Sequence, residues 1–149
     1  METLDQACAR FCDYFARLTP ESLTHLETVY LPTARFKDSF GEVSGSEAIR
    51  AVYARMFAQL DQPRFEIHSR VAQGQEIFLT WDFHFQRRHP RDRRTYTMRG
   101  ASHLQLVAQE GQWRVASHRD YCDVAEELYE KIPLLGSLMR ALKRAFGGA

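Results

Sequence analysis

No apolar run in this chain approaches the roughly 20 residues that a membrane-spanning helix needs. Nor does the N-terminus read as a secretory leader: Glu2 and Asp5 stand where a leader would be basic and then apolar. Cysteine is scarce. Cys8, Cys12 and Cys122 make an odd count without disulfide-framework spacing, which fits a reducing compartment and an expected cytoplasmic address. Cys8 and Cys12 share a helical face and read as packing residues. An excess of one charge is missing too: a formal net charge of +1 argues against whole-molecule attraction to nucleic acid or anionic membrane. Internal repeats and low-complexity segments are absent.

What is present is ordinary globular material. With 149 residues and 44% hydrophobic content the chain reads as one domain, 1–149, able to bury a core without staples. Residues 3–18 read as an amphipathic helix with Leu4, Cys8, Phe11, Tyr14, Phe15 and Leu18 on one stripe. Thr19 and Pro20 start a second helix that ends near Tyr30. A short strand carries Ala34, Phe36 and Asp38 on one face. A turn over 40–45 comes next, and Ser46 caps a third helix whose stripe is Ile49, Val52, Tyr53, Met56 and Leu60, closed by Pro63.

The period then changes from helical to alternating. Phe65, Ile67, Ser69 and Val71 oppose Arg64, Glu66, His68 and Arg70, and Ile77, Leu79, Trp81, Phe83 and Phe85 oppose Phe78, Thr80, Asp82 and His84. Two more strands, 94–107 and 112–121, turn at Glu110-Gly111. Helices ahead of consecutive antiparallel strands imply an α+β fold, a curved sheet wrapped around the N-terminal helices, with an amphipathic helix after it.

Two polar side chains ride apolar faces, the phenol of Tyr14 and the carboxylate of Asp38. Buried polar groups are costly unless paired, so both point to a pocket. On the last strand His118 and Asp120 share a face behind Ala116. Asp38, His118 and Asp120 therefore form either an acid/base cluster or an ion-paired structural network with Arg119 or Arg35. Phe36, Met56, Trp81, Phe83, Ser102 and Leu104 are the expected wall of a site for a small apolar or aromatic ligand. His103, out of phase with Ser102, faces the other side of the sheet. His118, Asp120 and Asp123 are metal-capable by type, but a strand running into a helix would splay them; no metal and no cofactor is expected. Residues 87–99 carry six arginines around one aspartate, yet they lie in a hairpin connection with little aromatic interleaving, so nucleic-acid binding is not expected. The tail 133–146 is amphipathic and basic; packing on its own domain or a second subunit is the stronger reading, contact with a membrane surface the weaker.

The order of elements, with Asp13-Tyr14-Phe15-Ala16-Arg17-Leu18, Ala34-Arg35-Phe36-Lys37-Asp38-Ser39-Phe40-Gly41, Gly45, Ala48-Ile49-Arg50 and Gly100-Ala101-Ser102-His103-Leu104, resembles the SnoaL-like and ketosteroid-isomerase-like branch of the nuclear transport factor 2 superfamily. The resemblance covers about 5–122 and leaves 123–149 as an extension. It implies a cone-shaped α+β half-barrel with a deep apolar pocket, commonly dimeric through the sheet's outer face. It also implies that Asp38 matches the aspartate that moves a proton beside a carbonyl and Tyr14 the oxyanion donor, while Ser102 stands where a second acid donates. The expected function is a cofactor-independent isomerase, cyclase or dehydratase acting on a small, mostly apolar carbonyl compound, with Asp38 as base, Tyr14 and Ser102 as donors, and His118 with Asp120 as a second proton-transfer pair. Its rival is a non-catalytic ligand-binding or protein-interaction module of the same fold.

Overall fold

Thr3 starts helix α1 (Leu4–Ala16) through a capping box: its hydroxyl accepts from the Gln6 backbone while the Gln6 side chain accepts from the Thr3 backbone. Its buried face, Ala7, Cys8, Phe11, Cys12 and Phe15, follows the sequence stripe. The protein is described here by a computed structural model, in residues 1–123 and Leu138, Arg140, Ala141, Arg144 and Ala145. The expected tail helix over 133–146 therefore lies almost wholly outside the described residues.

The second helix is not α-helical. Glu21–Thr28 form a 3₁₀ helix broken at His25, where the hydroxyls of Thr24 and Thr28 donate back to the carbonyls of Glu21 and His25. The chain is thus extended already at Tyr30, and strand β1 (Tyr30–Lys37) begins earlier than the expected Ala34. Pro32 fits inside this strand because the ladder shifts register between Tyr30 and Arg35. After β2 (Glu42–Ser44), Gly45 at φ +96° takes the cap position of α2 (Ser46–Gln59), so Ser46 is the first helical residue and not the cap. Helix α2 passes directly into β3 (Leu60–Gln73); Pro63 lies inside that strand at a second register shift.

Strands β4 (Glu76–Arg87), β5 (Thr95–Gln109) and β6 (Gln112–Cys122) complete a six-stranded sheet in the order β2-β1-β6-β5-β4-β3. The meander β3-β4-β5-β6 is antiparallel as expected. Pairing of β1 with β6 is parallel, so the sheet is mixed, curved and unclosed. Two bulges alter the alternation read from sequence. One between Ile67 and Arg70 pairs Val71 with Phe78 and turns Val71 outward, where it is 61% exposed. Another between Gln105 and Leu106 puts Val115, not Ala116, on the inner face of β6 and leaves His118 and Asp120 inside. The concave side holds the core, with Ile77, Leu79, Trp81, Phe83 and Phe85 packed toward Phe11, Phe15 and Leu26.

Candidate functional site

His118 is 4% exposed and enclosed by rings: Phe36 and Phe15 meet it edge-on at centroid distances of 4.8 and 5.6 Å, and Tyr30 is parallel to it at 6.0 Å. Both of its nitrogens are used. Nε2 lies 2.7 Å from Asp120 Oδ1, and Nδ1 lies 2.6 Å from the Tyr30 hydroxyl, itself 3.1 Å from the hydroxyl of Tyr53. From the other side Trp81 Nε1 donates to Ser102 Oγ at 2.8 Å, and Ser102 donates to the same Asp120 oxygen at 2.5 Å.

Donor and acceptor complementarity orients this chain. Trp81 can only donate, so the proton of Ser102 goes to Asp120, a carboxylate whose Oδ1 also accepts Nε2–H from His118. With a neutral imidazole Nδ1 accepts from Tyr30, which accepts from Tyr53. Protonation of Nδ1 reverses both phenols, and the proton of Tyr53 is then released from the chain. Burial pushes the Tyr30 phenol well above its ordinary value, with Tyr53 adding to the shift. Burial does the same to Tyr53, and the negative charge of Asp120 adds to it. Both phenols therefore stay protonated and serve the chain as hydrogen-bond donors and acceptors, not as phenolates.

Tyr53, Ser102, His118 and Asp120 form the polar end of an inner cavity of about 20 Å³ whose apolar wall is Phe15, Phe65, Ile67, Leu79 and Trp81. That volume holds about one water. The Trp81 indole fills the space beside it: a Cβ on Gly100 would lie 2.4 Å from its ring, so glycine is what lets it cross the neighbouring strand. Asp120 also lines a groove of about 720 Å³ with Lys37, Asp38, Ser39, Arg99 and Arg119.

Of the residues expected here, His118, Asp120, Ser102 and Trp81 converge. Ser102 does so as a link whose proton is committed to Asp120 and not as a free oxyanion donor. Phe36 covers the imidazole, whereas Phe83 stacks on Phe65 at 4.6 Å and Leu104 is buried core; neither they nor Met56 line the cavity. Tyr14 and Asp38 do not meet. The Tyr14 hydroxyl donates to the Ser22 carbonyl at 2.9 Å. Strand β1 ends at Lys37, and Asp38 Oδ1 accepts from the Phe40 and Gly41 amides at 2.8 and 2.9 Å, closing the turn to β2 at the groove. Arg119 stacks over Tyr121 on the outer face, away from the buried imidazole.

A match to a SnoaL-like domain spans residues 11–116. The chain belongs to the SnoaL-like domain family. Comparison with curated proteins finds no match. Among solved structures, this SnoaL-like protein is similar to one from Shewanella putrefaciens assigned as a SnoaL-like polyketide cyclase, at 17% identity and TM-score 0.67 over 86% of this chain and 97% of that one. A hypothetical protein of ketosteroid isomerase-like fold from Catenulispora acidiphila, in complex with trimethylamine, matches at 16% identity and TM-score 0.66 over 85% and 92%. TsrD from Streptomyces laurentii matches at 18% identity and TM-score 0.62 over 89% and 94%. At these identities the likeness shows the fold, that of nuclear transport factor 2-like proteins.

Sequence reasoning misses two members of the chain in this SnoaL-like protein. Tyr53 sits on the apolar stripe of α2, and the argument that singles out Tyr14, a phenol on an apolar face, applies to it unchanged. Tyr30 carries no such signal, because the sequence pattern makes it a helix end. Cys8 and Cys12 are buried free thiols as expected, Cys8 pushed up to about 11 by burial and by Cys12. Among the described residues no helix is long and apolar enough to cross a membrane.

Proposed function

We propose that this SnoaL-like protein is a cofactor-independent acid/base enzyme of the isomerase, cyclase or dehydratase type, acting on a small, mostly apolar carbonyl compound. The observation that carries this reading is the oriented chain Tyr53–Tyr30–His118–Asp120, which has its two ends on one cavity. Asp120 takes the proton beside the carbonyl. With Nδ1 of His118 protonated, the released Tyr53 hydroxyl donates to the carbonyl oxygen, and the proton returns to the product from Asp120. Trp81 and Ser102 hold Asp120 in place, and Phe36 keeps water from the imidazole. The size of the cavity favours a second reading, a non-catalytic binding module: about 20 Å³ admits no substrate until Trp81 moves.

The test is α-proton exchange. The protein is incubated in D₂O with a panel of small cyclic ketones and enones, and deuterium uptake is followed by proton NMR. Catalysed exchange on at least one compound is expected, with Asp120→Asn and Tyr53→Phe each slower by about 100-fold. Equal rates for wild type and Asp120→Asn remove Asp120 from the mechanism, and saturable ligand binding without exchange carries the binding module. A homodimer through the outer sheet face, which exposes Val71, Phe78, Val107 and Tyr121, belongs to the same proposal and predicts twice the chain mass by light scattering.

A further inference from the structure

The outer face of the sheet, opposite His118 and Asp120, carries four ligand-type side chains in a staggered row across two strands, His84, Glu66, Asp82 and His68, with Arg64 directly opposite His84. Glu66 and His68 are two apart on β3, Asp82 and His84 two apart on β4, and Glu66 is directly opposite Asp82. One ligand atom from each of Glu66, Asp82 and His84 lies within 4.8 Å of the other two. His84 Nε2 is 2.9 Å from Glu66 Oε2, and His68 Nε2 is 3.2 Å from Asp82 Oδ2.

We propose that Glu66, Asp82 and His84, with water in the fourth position, bind a divalent transition-metal ion of the Zn²⁺ class. Two carboxylates directly opposite each other on adjacent strands repel, and a cation between them removes the cost. In the metal-free protein that role is shared by the histidines and by Arg99, whose Nε is 4.0 Å from Asp82 Oδ1. Ligands at about 2.1 Å stand roughly 3.4 Å apart around a tetrahedral ion, so Glu66 and His84 already have nearly the needed spacing and Asp82 joins them by rotation of side-chain ends. His84 has an outer partner of the kind metal-bound histidines have. Its Nδ1 is 2.8 Å from Thr97 Oγ1 on β5; with the Nδ1 proton given to that hydroxyl, Nε2 presents its lone pair to the site. An imidazole with two carboxylates suits Zn²⁺ and Co²⁺ better than Mg²⁺ or Ca²⁺, which favour all-oxygen sites. Asp82 and His84 are largely covered while Glu66 and His68 are half exposed, a firm floor with an open entry.

The test uses the full chain without an affinity tag, stripped with chelator and titrated with Co²⁺ by visible absorption and with Zn²⁺ by calorimetry. One ion per chain is expected, with the d–d bands of four-coordinate Co²⁺, discharged by Zn²⁺. His84→Ala and Glu66→Gln should each weaken binding by about 100-fold, and Thr97→Val, which touches no metal, by about 10-fold. His103→Ala, in the other His–Glu pair on this face, should bind as wild type does. Absence of saturable binding by the wild type, or unchanged affinity and bands in both ligand variants, overturns the proposal. Two ligand variants keep the result readable if one of them fails to fold.

Discussion

His118 and His84 each face a carboxylate at nearly the same distance, 2.7 Å to Asp120 and 2.9 Å to Glu66, on opposite sides of one sheet. Their surroundings differ. On the concave side phenyl and phenol rings exclude water, so every hydrogen-bond vacancy must be filled from within the protein, and the pair grows into a chain from Tyr53 to Trp81. On the convex side Glu66 is half exposed, solvent satisfies what the protein does not, and the contact extends from His84 only to the Thr97 hydroxyl. Burial, not residue type or separation, turns a His–carboxylate contact into a connected network.

The largest effect should come from breaking the inner pair. Asp120→Ala leaves His118 Nε2–H and Ser102 O–H without their shared acceptor and should cost about 3 kcal/mol in urea unfolding, while Asp120→Asn, which keeps an acceptor oxygen, should cost about 1 kcal/mol. Equal losses would show that the acceptor is not what Asp120 supplies. Next, Gly100→Ala drives a methyl into the Trp81 indole and should cost about 2 kcal/mol with a changed Trp fluorescence spectrum. Tyr53→Phe should cost about 1 kcal/mol at neutral pH and also change the alkaline limb of stability. Its folded phenol is raised above the ordinary value, so its contribution is intact below about pH 10, where the unfolded phenol begins to ionise, and is lost as pH rises beyond it. The variant should therefore lose stability less steeply above that pH, and an unchanged slope would separate Tyr53 from the buried network. Smallest is the outer pair: in the metal-free protein His84→Gln should shift stability by less than about 0.5 kcal/mol.

Much of this contrast is legible along the chain. The alternation in β4 assigns Trp81 and Phe83 inward and Asp82 and His84 outward, and the spacing of His118 and Asp120 puts both on one face, as found. Asp38 misleads because alternation presumes that the strand continues; the backbone turns after Lys37, and a turn aspartate bonds its own loop amides. Val71 and Ala116 mislead for a related reason, since one extra residue in a bulge reverses the face of every later residue in the strand and leaves no mark on hydrophobic periodicity. The outer row of Glu66, His68, Asp82 and His84 is visible in sequence only as a polar face, because its cross-strand neighbours depend on register.

The sequence by itself determined the α+β class, the SnoaL-like resemblance and the inner face of the central strands, all consequences of local periodicity and order. Tertiary structure alone decided that β1 pairs parallel with β6, that Tyr30 reaches His118 and links it to Tyr53 while Tyr14 and Asp38 bond elsewhere, and that Trp81 nearly fills the cavity. Each of these depends on where separate elements dock, a matter of packing between residues far apart in the chain, which no local pattern encodes.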